Sequence, residues 1–237
     1  MVIDNPKVYF VIVAAGSGSR FGSTLPKQFL TLDGKPVLLH SIETVQQVLP
    51  QAQIILVLSE SGREIWEDMA RRYNFPAPAV VLGGAQRTDS VRNALDACRN
   101  LGCNNHDIIM VHDGARPLVS ANLIKNLYKA VRDFEGVVPA ISLTDSIVKV
   151  EPDGTGRGVD RSKYRAVQTP QAFRSGILME AYNAALHSSQ AFTDDASVVE
   201  AYTGNGTHII DGENTNIKIT NPADIKIAEI ILRHSEH

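Results

Sequence analysis

The chain has 237 residues, 43% hydrophobic and 21% charged, with a formal net charge of −3. That is enough apolar material for one sizeable core, and the mixed charge without like-charge blocks argues against a nucleic-acid groove or a basic membrane patch. No apolar run reaches the ~18 residues of a membrane span, and the opening "MVIDNPKVYF" lacks the charged start and long apolar middle of a secretory signal.

The predicted elements alternate along the chain. "VYFVIVAA" (8–15) is continuously apolar and β-branched, as a parallel strand buried on both faces is. A helix over 36–48 follows, with Val37, Ser41, Thr44, Val45 and Val48 at helical spacing and Pro36 suited to its first turn. A second buried strand (53–59) leads to an amphipathic helix (60–73), then to a third strand with a glycine exit (79–84). The next helix (87–100) carries Val91, Leu95 and Cys98 on one stripe. Cys98 and Cys103 have no CxxC spacing and read as ordinary reduced thiols of a cytoplasmic protein. "DIIMVHDGARP" (107–117) is a strand running into a loop, and Ser120 caps a helix (120–134) with Leu123, Leu127 and Val131 on one face. A strand at 136–142 follows.

The pattern breaks over 143–172, where short alternating runs flank a Pro-Asp-Gly turn. This predicts a β-hairpin excursion, an arm that covers the site or clasps a partner subunit. Helices from about 174 and 194, strands at 207–211 and 216–220, and a last helix opened by Asn221-Pro222 complete the chain. The alternation implies an α/β fold: a Rossmann-like, open, mostly parallel sheet with helices on both faces, plus the protruding β-arm. Ligands of such a sheet sit at the carboxyl ends of the strands.

Chemistry gathers at those ends. After the first strand comes "AAGSGSRFGSTLPKQF" (14–29). It fails the dinucleotide fingerprint, because Phe21 stands where the third glycine belongs, and it fails the P-loop, because Lys27 sits between Pro26 and Gln28. It still suits an anion. Gly16 and Gly18 admit close backbone approach, Arg20 forks onto phosphate oxygens, and Lys27 is a movable point charge. "GGAQRTDSV" (83–91) either brings backbone groups against a flat base or is a tight turn with a cap at Thr88 or Asp89. "VHDGARP" (111–117) places Asp113 and Arg116 at a strand exit, where they face a metal, a sugar hydroxyl or a phosphate, or pair with each other. His112 reads as a packed, hydrogen-bonding histidine.

In order and over nearly the whole chain, these motifs, with Asp160-Arg161, "QTPQAF" (168–173), "TDDASVVE" (193–200) and "NIKIT" (216–220), resemble the 2-C-methyl-D-erythritol 4-phosphate cytidylyltransferases. The resemblance implies one nucleotidyltransferase domain over 1–237, with the 143–172 arm serving dimerisation. It implies that CTP and the polyol phosphate are joined, with release of pyrophosphate and with Mg2+, in non-mevalonate isoprenoid synthesis. Arg20, Lys27, Arg161 and Lys218 match the catalytic cations, with Arg161 reaching the other subunit of a homodimer by arm exchange. Ala14, Ala15, Gly16, Ser17, Gly18, Gly84, Ala85 and Ser90 match the nucleotide cradle. Asp113, Arg116, Ser146 and Thr169 match substrate-side positions, with Asp113 also a candidate metal ligand. Thr215 departs from relatives that carry an aspartate there, and Gly114 stands where alanine is also used, a difference expected to be harmless. The rival reading is a ribitol 5-phosphate cytidylyltransferase; "TDSIVKV" (144–150) favours methylerythritol phosphate.

Overall fold

A run that is apolar at every position can be buried throughout only in a sheet covered on both sides, and Val8–Ala14 is such a run. In the computed structural model, which describes residues 5–16, 25–73, 75, 78–187 and 190–235, it forms the central strand. The strands are β1 (Val8–Ala14), β2 (Thr31–Leu32), β3 (Lys35–Pro36), β4 (Gln53–Leu58), β5 (Ala79–Leu82), β6 (Ile108–Asp113), β7 (Gly136–Ser142), β8 (Val148–Val150), β9 (Gly156–Gly158), β10 (Arg165–Val167), β11 (Gln171–Arg174) and β12 (His208–Asp211). The helices are α1 (Val37–Val48), α2 (Glu60–Arg72), α3 (Arg87–Asn100), α4 (Ala121–Ala130), α5 (Ser175–Ala184), α6 (Asp195–Thr203) and α7 (Pro222–Ser235).

β1 pairs in parallel with β4 on one side and β6 on the other, and β4 pairs in parallel with β5. β12 runs parallel to β7. Between β6 and β7 the chain reverses: β11 is antiparallel to both, and β10 is antiparallel to the far half of β7. The register shifts by two residues between β10 and β11, so 165–174 runs along one edge of β7 as a strand interrupted at 168–170. The sheet is therefore mixed, with a parallel majority, as expected of an α/β fold with helices on both faces.

Side-chain alternation divides β1 between two cores. Phe10 and Ile12 pack with Leu38, Ile42, Trp66, Leu123 and Leu127 of α1, α2 and α4. Tyr9 and Val11 pack with Val91, Leu95, Leu178, Tyr182 and Val198 of α3, α5 and α6. Each fully buried side chain of this kind contributes about 1.5–3 kcal/mol. A third cluster joins Leu32, Val37, Leu118, Ile219 and Ala228 and docks α7.

Two expectations change. The free arm is shorter than 143–172, because Arg165–Val167 and Gln171–Arg174 rejoin the main sheet, where Ala172 and Phe173 are fully buried. Of the strands in this stretch, β8 and β9, a hairpin turning at Asp153-Gly154, stand outside it. Segment 216–220 is not a strand. Ile219 is drawn into the third cluster, and its N–H donates to the Ala115 carbonyl (2.8 Å) rather than to a sheet ladder. The caps at Ser120 and Asn221 form as read: Ser120 Oγ accepts from Leu123 N, and Asn221 Oδ1 from Ala223 N.

Candidate active site

The loops leaving β1, β5 and β6 converge on a cleft of about 440 Å³. Its lining includes Ala14 to Gly16, Lys27, Gly84 to Arg87, Ser90, Asp113 to Ala115 and Lys218. Ser17, Gly18 and Arg20 lie outside the described residues.

The floor at β1 is held from below. Gln28, 3% exposed, donates through Nε2 to the carbonyls of Ala14 (2.7 Å) and Gly16 (3.2 Å). It lies in a single 3₁₀ turn, Lys27–Phe29, that Phe29 anchors in the core. Lys27, first in that turn, is thereby presented at the rim. On the β5 side, Gly84 N donates to Ser90 Oγ (3.1 Å), and that hydroxyl donates to the Gln86 carbonyl (3.1 Å). Ser90 therefore shapes the cradle through its own loop. Gly84 cannot carry a side chain there, since a Cβ would sit 2.2 Å from Asp89 Cβ. Asp89 is not the N-cap of α3; it accepts from Gln86 N (3.0 Å) at the third position of the helix.

β6 delivers Asp113 into a ring of cations. Its Oδ2 lies 2.8 Å from Lys218 Nζ and 3.5 Å from Arg116 Nε, and its Oδ1 lies 4.0 Å from Arg87 Nε. Burial alone would push the Asp113 carboxyl up, but Lys218, Arg87 and Arg116 outweigh it and hold it at about 2. Both readings of Asp113 thus meet: it pairs with Arg116 and still lines the cleft. Gly114 is not neutral in this packing. A methyl group there would sit 2.8 Å from Ala14 Cβ and 3.2 Å from the Val13 carbonyl, so an alanine needs the two loops to part slightly.

Behind Asp113 the polar groups are satisfied in series. Asp113 N donates to Thr169 Oγ1 (3.0 Å), which is within 3.1 Å of His112 Nδ1, while His112 Nε2 lies 3.0 Å from the Arg116 carbonyl. With Nε2 protonated toward that carbonyl, the Thr169 hydroxyl donates to Nδ1 and every group in the chain has a partner. Burial lowers His112 to about 4 and keeps it neutral. Thr169 is 5% exposed, so it supports Asp113 from the interior. Arg116 likewise turns inward and donates through Nη1 to the Asn216 carbonyl (2.7 Å), bracing the loop that presents Lys218. Gln168 clamps the same loop by donating to the Glu213 carbonyl (2.8 Å) and accepting from Glu213 N (3.1 Å). Thr215 is exposed in that loop.

The structure therefore brings Ala14, Ala15, Gly16, Lys27, Gly84, Ala85, Ser90, Asp113 and Lys218 to one cleft. It places Arg116 and Thr169 just behind it. Ser146 and Arg161 do not line the cleft of their own chain; both are exposed on the arm, where Arg161 Nη1 donates to the Thr144 carbonyl. Sequence reasoning missed Gln28, which holds two carbonyls of the floor. It also missed Asp195, which is fully buried and forms a bidentate pair with Arg87: Nη1 to Oδ1 at 3.0 Å and Nη2 to Oδ2 at 2.6 Å. Burial alone would lower the Arg87 guanidinium, but Asp195 and Asp113 raise it. The only sign of this pair was that Arg87 and Asp195 fall in two of the motifs quoted above.

Comparison with known proteins agrees with this geometry. Residues 8–234 match the family model described as IspD, 2-C-methyl-D-erythritol 4-phosphate cytidylyltransferase. A protein of that name from Azobacteroides pseudotrichonymphae is 43% identical over 94% of this chain and 98% of its own length. One from Phocaeicola vulgatus is 39% identical over 94% and 99%. The crystal structure of a 4-diphosphocytidyl-2C-methyl-D-erythritol synthase from Anaerococcus prevotii superposes with a TM-score of 0.80 at 27% identity, covering 97% of this chain and all of that one (100%).

Proposed function

The chain belongs to the 2-C-methyl-D-erythritol 4-phosphate cytidylyltransferase family, and from that premise we propose how its cleft carries out cytidylyl transfer. CTP and 2-C-methyl-D-erythritol 4-phosphate give 4-diphosphocytidyl-2-C-methyl-D-erythritol and pyrophosphate, a step of non-mevalonate isoprenoid precursor synthesis. An oxygen of the polyol phosphate attacks the α-phosphorus of CTP. The bond from that phosphorus to the bridging oxygen breaks, and pyrophosphate leaves with its electron pair. No side chain is covalently modified, so the protein contributes position and charge.

The observation that carries this reading is the cleft itself. Lys27 and Lys218 line it together with Asp113, the one carboxylate among its described lining residues, above a glycine–alanine floor. Two anions brought together repel, and fixed cations lining the cleft offset that repulsion. In this reading Lys27 and Arg20 neutralise the triphosphate, and Lys218 exchanges Asp113 for the incoming phosphate. The segment from Gly84 to Ser90 cradles the cytosine, with Ser17 and Gly18 completing the phosphate floor. Asp113 accepts from polyol hydroxyls, with Arg116 and Thr169 holding it in place.

Mg2+ accompanies the nucleotide in this proposal, bound by phosphate oxygens. Asp113 is poorly suited to ligate it, because Lys218, Arg116 and Arg87 already surround that carboxylate. Among the described residues no group of three or more His, Cys, Asp or Glu side chains is placed to hold a metal ion.

Arg161 and Ser146, exposed on the hairpin arm, act in a partner's cleft in a homodimer with exchanged arms. Val148, Val150 and Tyr164 of the arm are apolar and 56%, 68% and 48% exposed, which supports a covered arm. Among the described residues no helix is long and apolar enough to cross a membrane, and the reading is of a cytoplasmic enzyme.

Pyrophosphate release with CTP and Mg2+ tests the proposal. Release with methylerythritol 4-phosphate is expected, and a higher kcat/KM with ribitol 5-phosphate would refute the substrate. Mixing inactive Lys27→Ala and Arg161→Ala chains should restore activity; none despite proven subunit exchange would refute the arm's role.

A further inference from the structure

Two carboxylates stand near one guanidinium in the wall of the cleft, and the structure commits it to the one that faces away from substrate. Arg87 opens α3 and lines the cleft. Both of its terminal nitrogens go to Asp195, at 3.0 Å and 2.6 Å. Its Nε remains 4.0 Å from Asp113 Oδ1, beyond hydrogen-bond reach. The close contacts of Asp113 with Lys218 and Arg116 both fall on Oδ2. Oδ1 is thus the oxygen on the Arg87 side, away from the closest approaches of Lys218 and Arg116.

Asp195 is fixed more firmly than an ordinary surface partner. It is fully buried in the first turn of α6. Tyr182 Oη donates to its Oδ1 at 2.6 Å. Gln171 of β11 accepts from the backbone N–H groups of Asp195 and Ala196, each at 3.0 Å, and donates to Asp194 Oδ2 at 2.8 Å. β11 lies beside β6, with Gln171 paired to Val111, two residues before Asp113. One frame therefore sets the positions of both carboxylates.

We propose that Asp195 is a positioning residue for the transfer reaction. By occupying the guanidinium fork of Arg87, it stops Arg87 from closing onto Asp113 and keeps Oδ1 open to the polyol hydroxyls. A planar fork and a carboxylate form their strongest pair when both nitrogens engage. With Asp195 removed, Asp113 is the nearest acid, and a rotamer change brings it within reach. The proposal rests on the reading of the cleft given above.

The experiment compares the full-length Asp195→Asn, Tyr182→Phe and Asp195→Asn/Arg87→Gln chains with the wild type, assaying both substrates below each variant's melting temperature. Asp195→Asn should raise KM for methylerythritol 4-phosphate about 10-fold or more, with KM for CTP changed less than about 3-fold. The double variant, which has no guanidinium to capture Asp113, should recover most of the polyol affinity. Tyr182→Phe loosens the same carboxylate without leaving a charge unpaired, and should give a smaller rise of about 2- to 3-fold, again for the polyol alone. Equal rises for both substrates, no rise, or no recovery in the double variant would overturn the proposal.

A crystal structure of Asp195→Asn decides the same point without turnover. Arg87 should lie within hydrogen-bond distance of Asp113 Oδ1, and Arg87 left in place overturns the proposal. A wild-type chain inactive with both polyol phosphates would refute the substrate reading, while the position of Arg87 would still decide this one.

Discussion

Replacing Asp113 with asparagine removes the charge on which Lys218, Arg116 and Arg87 converge and keeps the side chain's shape. The difference between an ordinary carboxyl at 3.8 and one held at about 2 is worth about 2 kcal/mol of folding stability at neutral pH. The sign is fixed by direction. The folded value is depressed, so the stability is present in full above about pH 4 and is lost as pH falls through about 2. At pH 3 about half of it remains. The assay is urea unfolding of wild type and Asp113→Asn at pH 7 and pH 3, in EDTA. The gap between them should be about 2 kcal/mol at pH 7, a drop in melting temperature of roughly 4–8 °C, and about half that at pH 3. A gap under about 0.5 kcal/mol, the size of an ordinary surface substitution, would refute the reasoning. So would a gap that does not change with pH.

Lys27→Ala and Lys218→Ala should each lower kcat by more than ~10²-fold, as loss of charge aimed at a transition state does; near-normal turnover in either would remove that residue from the mechanism. His112, held at about 4 against an ordinary 6.5, acts in the same sense as Asp113 on pH, but over a higher pH range. The unfolded chain takes up a proton that the folded chain refuses, so acidification from pH 7 to 4 costs about 3 kcal/mol through this residue. His112→Asn should flatten that part of the pH–stability curve, and an unchanged slope would contradict the burial argument. Gln28→Ala leaves the Ala14 and Gly16 carbonyls without their donor and should cost about 1–3 kcal/mol in urea unfolding; it should also raise KM for CTP more than KM for the polyol phosphate.

Much of this was readable before folding, for a physical reason. Where burial is continuous over a strand's length, as in Val8–Ala14, or follows a period of 3.6, as along Leu123, Leu127 and Val131, the sequence carries its own geometry. Glycines at strand exits were legible because close backbone approach demands them. The failures share a different cause. Residues 216–220 alternate like a strand, yet tertiary packing of Ile219 takes them out of the sheet. The arm looked longer than it is because re-entry at 165–174 depends on a register with β7 that no local pattern encodes. The Arg87–Asp195 pair spans 108 residues, and nothing near either residue specifies the other. Arg116 and Thr169 were matched to substrate-side positions by resemblance, and no local pattern showed their contacts with the Asn216 carbonyl and His112, which only the fold brings near.

The loop that carries Lys218 also has a consequence in time. It is held by Arg116, Gln168 and the Ala115 carbonyl, all laid down long before it. A chain emerging from the ribosome at roughly 5–20 residues per second completes the β1–β6 floor some 5–20 s before Lys218 appears. During that interval Asp113 has Arg116 and Arg87 beside it but lacks its closest cation. The closest cation to Asp113, and the last side chain of the cleft, therefore arrives only with the C-terminal segment of the chain.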